Sequence, residues 1–241
     1  MSNFNASFHS RIYVDFKELD MPSHQSILDF YSKNKEGIQQ LQFHEYFELR
    51  LAYIDALFET GKYSTLLEVC DETIESVIEN NIQYYQGEDI YRKLLLRKAA
   101  AHYNLSEYHK TEFILKELIK INPDDDYAIR FFQKSQWQHP PTYVLNTRNS
   151  SLLLFLFTAM VIGFEMTYFG FGKPQNPMSL MIEMARNGVF FIGWIVLILG
   201  EVFFRWSVHS NTKRLVGKVK ENKIRMIQDY EYNIQDVSKL D

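Results

Sequence analysis

Few side chains in this sequence stand at spacings that do chemistry. The seven histidines, His9, His24, His44, His102, His109, His139 and His209, are scattered, and none forms an HExxH pair. That pattern sets two zinc ligands one helical turn apart with a general base between them. His102 and His109 fall in one helix-hairpin region, but no acidic or thiol partner stands at ligand spacing. Cys70 is the single cysteine and cannot form an internal disulfide. Asp124-Asp125-Asp126 follows Pro123 directly, a position where acids meet the positive end of a helix dipole, not a metal. Neither a glycine-rich phosphate loop nor a GxSxG elbow is present. The expectation is a non-enzyme with no catalytic residues, no cofactor and no metal.

Two acids call for a different explanation. Glu165 interrupts the run SLLLFLFTAMVIGFEMTYFGFG at residues 151–172, and Glu201 interrupts GVFFIGWIVLILGEVFF at residues 188–204. A helix rises about 1.5 Å per residue, so ~20 apolar residues cross a hydrocarbon core of roughly 30 Å. The first run is long enough outright. The second is completed by Arg205, whose stem snorkels, and by Trp206, which suits an interface. A glutamate at the bilayer centre costs up to about 3 kcal/mol against roughly −0.3 to −0.6 for each Leu, Ile, Phe or Val. The apolar sum wins in both runs, and a buried helical hairpin in a soluble core is the competing reading. Glu201 and Arg205 stand four residues apart on one face and neutralise each other. Glu165 has no partner within its run, which points to a protonated acid, an interfacial position or a second subunit. Gly163, Gly170, Gly172, Gly188, Gly193 and Gly200 offer surfaces where helices approach closely.

The basic residues set the expected orientation. Arg205, Lys213, Arg214, Lys218, Lys220, Lys223 and Arg225 follow the second run, opposed only by Glu221; the connecting segment 173–187 holds Lys173 and Arg186 with Glu183. Lys and Arg beside spans stay cytoplasmic, so both termini are expected in the cytoplasm. The N-terminus, MSNFNASFHSRIYVDF, lacks the basic and apolar regions of a signal peptide. The expected location is a cytoplasmic (inner) membrane, and high Ile, Lys, Asn and Tyr usage suits an AT-rich bacterial genome.

The chain has 241 residues, 23% charged and 46% hydrophobic, which excludes wholesale disorder and a collagen or disulfide scaffold. A net charge of −4 argues against nucleic-acid binding. Its mean hydropathy of −0.26 hides an uneven distribution. Residues 1–147 carry 15 basic and 22 acidic residues, and 148–241 carry 11 and 8, with a boundary near His139-Pro140-Pro141. In the first part Leu49, Tyr53, Ala56 and Leu57 make one helical stripe and Leu66, Val69, Thr73, Ile74 and Val77 the next. No alternating run suggests a strand, so the fold class is all-α.

Residues 49–74, LRLAYIDALFETGKYSTLLEVCDETI, align with 94–125, LLLRKAAAHYNLSEYHKTEFILKELIKINPDD. Gly61 matches Ser106, Tyr63 matches Tyr108, Leu66 matches Thr111, Cys70 matches Leu115 and Ile74 matches Ile119. The small residues at crossings, the aromatic after each turn and the closing Asn122-Pro123 resemble the tetratricopeptide repeat family over residues 40–137. The departures are a 45-residue spacing instead of the family's 34, met by a longer second helix or an inserted loop at 80–87, and Thr111 where the family prefers Ala. The resemblance implies stacked helix pairs, a capping helix over 124–136, a packing role for Cys70 and a concave groove that holds a protein partner. Lys93 and Arg97 match two clamp positions of chaperone-tail receptors, but Leu51 and Asp55 stand where further clamp residues belong, and Asp55 repels a carboxylate. Phe58 and Tyr103 are equivalent positions near the groove end, as contacts or as ordinary packing.

The expected organisation is a helical segment 1–40, repeats and cap 41–138, a linker 139–149, a first span 150–172, an external loop 173–187, a second span 188–208 and a tail 209–241. In the tail Val216, Val219, Met226, Tyr230, Val237 and Leu240 form an amphipathic seam interrupted by Lys223 and Asn233: a short coiled coil, a helix on the membrane, or a helix packed on the acidic repeats. The whole reads as a membrane-anchored adaptor that holds a protein partner at the lipid bilayer, with no nucleic acid involved. The alternative is a small oligomeric membrane effector or channel-like subunit, assembled through the spans or tail and worked by Glu165 and Glu201.

Overall fold

In the computed structural model, Leu66, Cys70, Thr73 and Val77 are the buried residues of one helix, the register their three- and four-residue steps demand. The structure describes residues 11–19, 23–169 and 177–237. The glycines Gly170 and Gly172, the loop residues Lys173 and Pro174, His9 and the tail residue Leu240 lie outside them. The described residues are all-α apart from one small hairpin, and they divide into two compact units, residues 1–128 and 129–241.

In the first unit a helix at 11–17 (α1) is followed by α2 (His24–Lys33), α3 (Lys35–Gln39), α4 (Phe43–Glu59), α5 (Tyr63–Glu79), β1 (Tyr84–Tyr85), β2 (Glu88–Asp89), α6 (Ile90–Asn104) and α7 (Tyr108–Ile121). Two of these helices, α2 and α6, start where a side chain meets a free backbone N–H group: Ser23 Oγ accepts from Ser26 N at 3.1 Å, and Asp89 Oδ1 accepts from Arg92 N at 2.9 Å. One core joins α2, α4, α5 and α6 through Leu28, Phe47, Ile54, Leu57, Leu66, Cys70 and Leu94. A second, of Ile12, Ile38, Leu41 and Leu49, seats α1 and α3. Arg50 is buried between α4 and α5; its guanidinium donates to Thr73 Oγ1 at 2.7 Å and to Val69 O at 3.3 Å, reaches Glu72 and Tyr46 Oη, and lies over the Tyr46 ring. That full set of partners offsets the desolvation of the charge.

The two inter-helix turns repeat each other 45 residues on. Gly61 and Ser106 both take left-handed backbone, with φ of +74° and +61°. Lys62 N donates to Leu57 O and Glu107 N to His102 O, each at 2.9 Å. Phe58 packs edge-on against Tyr63 at 5.8 Å between centroids, and Tyr103 against Tyr108 at 5.5 Å. Leu66 and Thr111, Cys70 and Leu115 are fully buried pairs of equivalent positions.

The extra length between the turns is a β-hairpin, unforeseen in the sequence: Tyr84 pairs with Asp89 and Tyr85 with Glu88. Gln86 and Gly87, with φ of +51° and +82°, make the left-handed two-residue turn that matches strand twist. The helix α8 spans Asp126–Gln138, starting two residues after the expected position, because Asp125 caps it: Oδ1 accepts from Tyr127 N at 3.1 Å and Ala128 N at 3.2 Å.

Within the second unit, α9 (Thr142–Phe169) and α10 (Pro177–Val237) run antiparallel as a hairpin. Residues 142–149 are helical instead of a linker, and α10 begins inside the expected loop and continues unbroken into the tail as far as Val237. From Lys220 to Asp229 every residue is exposed.

Candidate functional site

Two places are candidate sites, one in each unit. The first is an open groove of about 540 Å³ lined by Phe58, the β2 residues Glu88 and Asp89, the α6 residues Arg92, Lys93, Leu96, Arg97 and Ala100, and Tyr127. Positions 93, 97 and 100 of α6 share one face, and Phe58 comes from the end of α4.

Asp55, Phe58, Lys93 and Arg97, singled out in the sequence, do come together. Arg97 Nε donates to Asp55 Oδ1 at 2.9 Å, its guanidinium stacks on Phe58 at 4.5 Å, and its Nη1 lies 3.7 Å from Glu59. Lys93 Nζ donates to Glu88 Oε2 at 2.7 Å and lies 3.9 Å from Asp55. Both basic residues already hold carboxylates, so neither stands ready to grip an incoming one. The hydrogen bond from Lys93 holds Glu88 below the usual carboxylate range. Tyr103 is absent from the groove lining and packs on Tyr108 at the following turn.

Sequence reasoning missed Arg92 and Tyr127, and it placed Asp125 at a helix start without its arginine partner. Arg92 donates twice to Asp125, Nε to Oδ2 at 2.5 Å and Nη2 to Oδ1 at 3.0 Å. The bond from Arg92, aided by the backbone donors of Ala128 and Tyr127, holds the Asp125 carboxyl low despite burial. The acidic run after Pro123 gave one visible sign of this cap; the arginine 33 residues earlier gave none.

No family model, curated protein or solved structure matches the chain. Function therefore rests on geometry. Among the described residues no group of three or more His, Cys, Asp or Glu could hold a metal. His102 meets one carboxylate across the turn, Nδ1 lying 2.6 Å from Glu107 Oε2. Cys70 is fully buried with Sγ 3.4 Å from Leu94 O, and burial pushes its thiol up to about 12.

The second place is the α9–α10 hairpin, whose two helices are long and apolar enough to cross a membrane. Only 11% of each apolar window is buried, and Leu152, Leu153, Leu156, Phe191, Leu199 and Phe203 face outward. From 144 to 167 the residues not exposed are Val144, Thr147, Ser151, Leu154, Phe155, Thr158, Val161 and Glu165. Phe155 apart, they alternate steps of three and four, the seam of a left-handed pair. Opposite them α10 presents glycine. A Cβ on Gly193 would meet the Phe155 ring at 2.8 Å, and one on Gly200 would meet Thr147 Oγ1 at 2.6 Å. Ser151, Thr158 and Thr147 hydroxyls donate to their own helix, to Thr147 O, Leu154 O and Val144 O, each at 2.8 Å.

Charges close both ends of this seam. Glu201 accepts from Arg148 Nη2 at 2.8 Å and lies 3.5 Å from Arg205 Nε. Glu165, expected to lack an internal partner, pairs with Arg186 of α10. The correction has a simple cause: α10 starts at Pro177, so Arg186 is on its third turn, level with Glu165, instead of in a loop. Between the pairs neither helix carries a charge, over about 25 Å along α9 and about 22 Å along α10.

Proposed function

We propose that this chain is a non-enzymatic, membrane-anchored scaffold: its N-terminal unit binds a protein partner in the α6-lined groove, and the hairpin fixes that partner at the bilayer. One observation carries the reading. The groove of the first unit keeps an apolar and aromatic floor of Phe58, Leu96 and Tyr127 open, and the outward face of the hairpin in the second unit is apolar almost throughout. An exposed apolar face of that extent is what lipid covers. The uncharged stretch between the ion pairs approaches the roughly 30 Å of a hydrocarbon core, leaving each pair within about one helical turn of a boundary. Anchoring raises the local concentration of a partner, so a weak groove suffices.

The duplicated turn geometry at Gly61 and Ser106 supports the tetratricopeptide-like reading of the first unit, with the β-hairpin as its insertion. The cluster of Lys and Arg after residue 205 supports cytoplasmic termini and, in a bacterium, the inner membrane. Glu165 and Glu201 find their counter-charges within one hairpin, so they call for neither a second copy nor a pore.

A photo-crosslinking residue at Leu96, inside the groove, tests the reading in native membranes against one at the exposed Phe113 of α7. A discrete heteromeric adduct from position 96 alone is expected. Identical adducts from both positions, or self-adducts only, would sink the scaffold reading.

A further inference from the structure

The unbroken course of α10 ties a row of cations to the hairpin. Arg148, Arg186 and Arg205 each pair with a glutamate. Lys213 and Arg214, then Lys218 four residues on, are exposed, and no carboxylate among the described residues pairs with them. They avoid the buried face of this stretch, which is formed by Val208 and Thr212. Trp206, 63% exposed, precedes them by two turns.

We infer that Lys213, Arg214 and Lys218 form a recognition site for the phosphate of anionic phospholipids. The inference rests on the membrane-spanning reading of the hairpin and adds a lipid preference to it. Measured along the helix from Trp206, Lys213 lies about 10 Å away, Arg214 about 12 Å and Lys218 about 18 Å. A headgroup layer of about 7 Å and a Debye length of about 8 Å bring the first two within range, and the stem of Lys218 covers the remainder. Arg225, about 28 Å out, is beyond it. A guanidinium matches phosphate oxygens bidentately, and two ammonium groups beside it add charge without fixed geometry. Because one continuous helix carries both span and cations, they meet headgroups whenever the hairpin is inserted.

The test uses full-length protein in an uncharged detergent with added phosphatidylglycerol or phosphatidylcholine, with retained lipids counted by native mass spectrometry. Wild type should retain phosphatidylglycerol preferentially, and 0.5 M salt should weaken that preference. K213Q/R214Q/K218Q should lower its retention by at least about tenfold, whereas K33Q/K35Q/K62Q, with the same loss of charge elsewhere, should not. Equal retention of both lipids, or no change in the first variant, would overturn the inference while leaving the spans intact. Salt-sensitive self-association without lipid preference would overturn it in favour of a second copy. Protein that stays soluble without detergent and retains neither lipid would overturn the spanning reading as well.

Discussion

Arg97 of the groove lining and Asp55, 42 residues apart in sequence, join α6 to α4 with a 2.9 Å ion pair. The pair is about one-third exposed on each side, so solvent screens it and its coupling is modest. A double-mutant cycle of D55N and R97Q, read by urea unfolding, should give about 0.5–1 kcal/mol. D55N alone should also strengthen binding of acidic peptides, because it releases Arg97 and removes a repelling charge. A coupling near zero with unchanged peptide binding would show that the pair does not define the groove's charge.

The Glu165–Arg186 pair joins the two hairpin helices near one end of the apolar band, with both side chains less than one-fifth exposed. Removing one partner leaves the other poorly solvated, at roughly 1–3 kcal/mol. E165R should therefore lower thermal stability in detergent, and E165R/R186E should restore most of it. Failure of the double reversal to rescue would mean that the residues do not meet.

Gly200 admits Thr147 at a separation no side chain allows. Thr147 is β-branched and has little room to turn away. Gly200→Val should splay the hairpin and cost roughly 1–3 kcal/mol, whereas Gly163→Val, where a Cβ meets nothing within 4 Å, should be silent. Cysteine crosslinking between positions 155 and 193 reads the difference; equal yields in the two variants would refute this packing.

Asp125 links Arg92 to the start of α8, and its folded pKa is lowered, chiefly by the hydrogen bond from Arg92. A carboxyl with a depressed folded pKa stabilises above its unfolded pKa of about 3.9, and that stability is lost as pH falls through the folded value. Wild type should thus lose stability as pH drops below about 4, and D125N should be less stable at pH 7 by about 1–3 kcal/mol with a flatter acid limb. Parallel pH profiles would exclude the role assigned to this carboxylate.

Periodicity and turn chemistry were legible in the sequence to different depths. The stripe of Leu66, Val69, Thr73, Ile74 and Val77 marked a helical face, of which Leu66, Thr73 and Val77 are buried and Val69 and Ile74 half-buried, and Gly61-Lys62-Tyr63 marked its turn; both depend on local sequence alone. Phe58, Lys93 and Arg97 were singled out through the tetratricopeptide resemblance, and they line one groove. What escaped depended on registers between distant segments. Arg186 became the partner of Glu165 only because α10 starts at Pro177, and the apolar run gave no indication that the helix began eleven residues before its own first glycine, Gly188. The hairpin at Tyr84–Asp89 has two-residue strands, too short for any alternation, and its turn uses Gln86 where Asn or Asp would have announced it. The bond between Arg92 and Asp125 is tertiary and left no local trace.

Affinity capture from gently solubilised native membranes tests the scaffold claim most directly, with full-length wild type beside Ala100→Trp, which fills the groove without altering the hairpin. A partner recovered at near-stoichiometric yield with wild type and lost from Ala100→Trp is the expected result. The same proteins at the same yield from both, or only further copies of this chain, would contradict it.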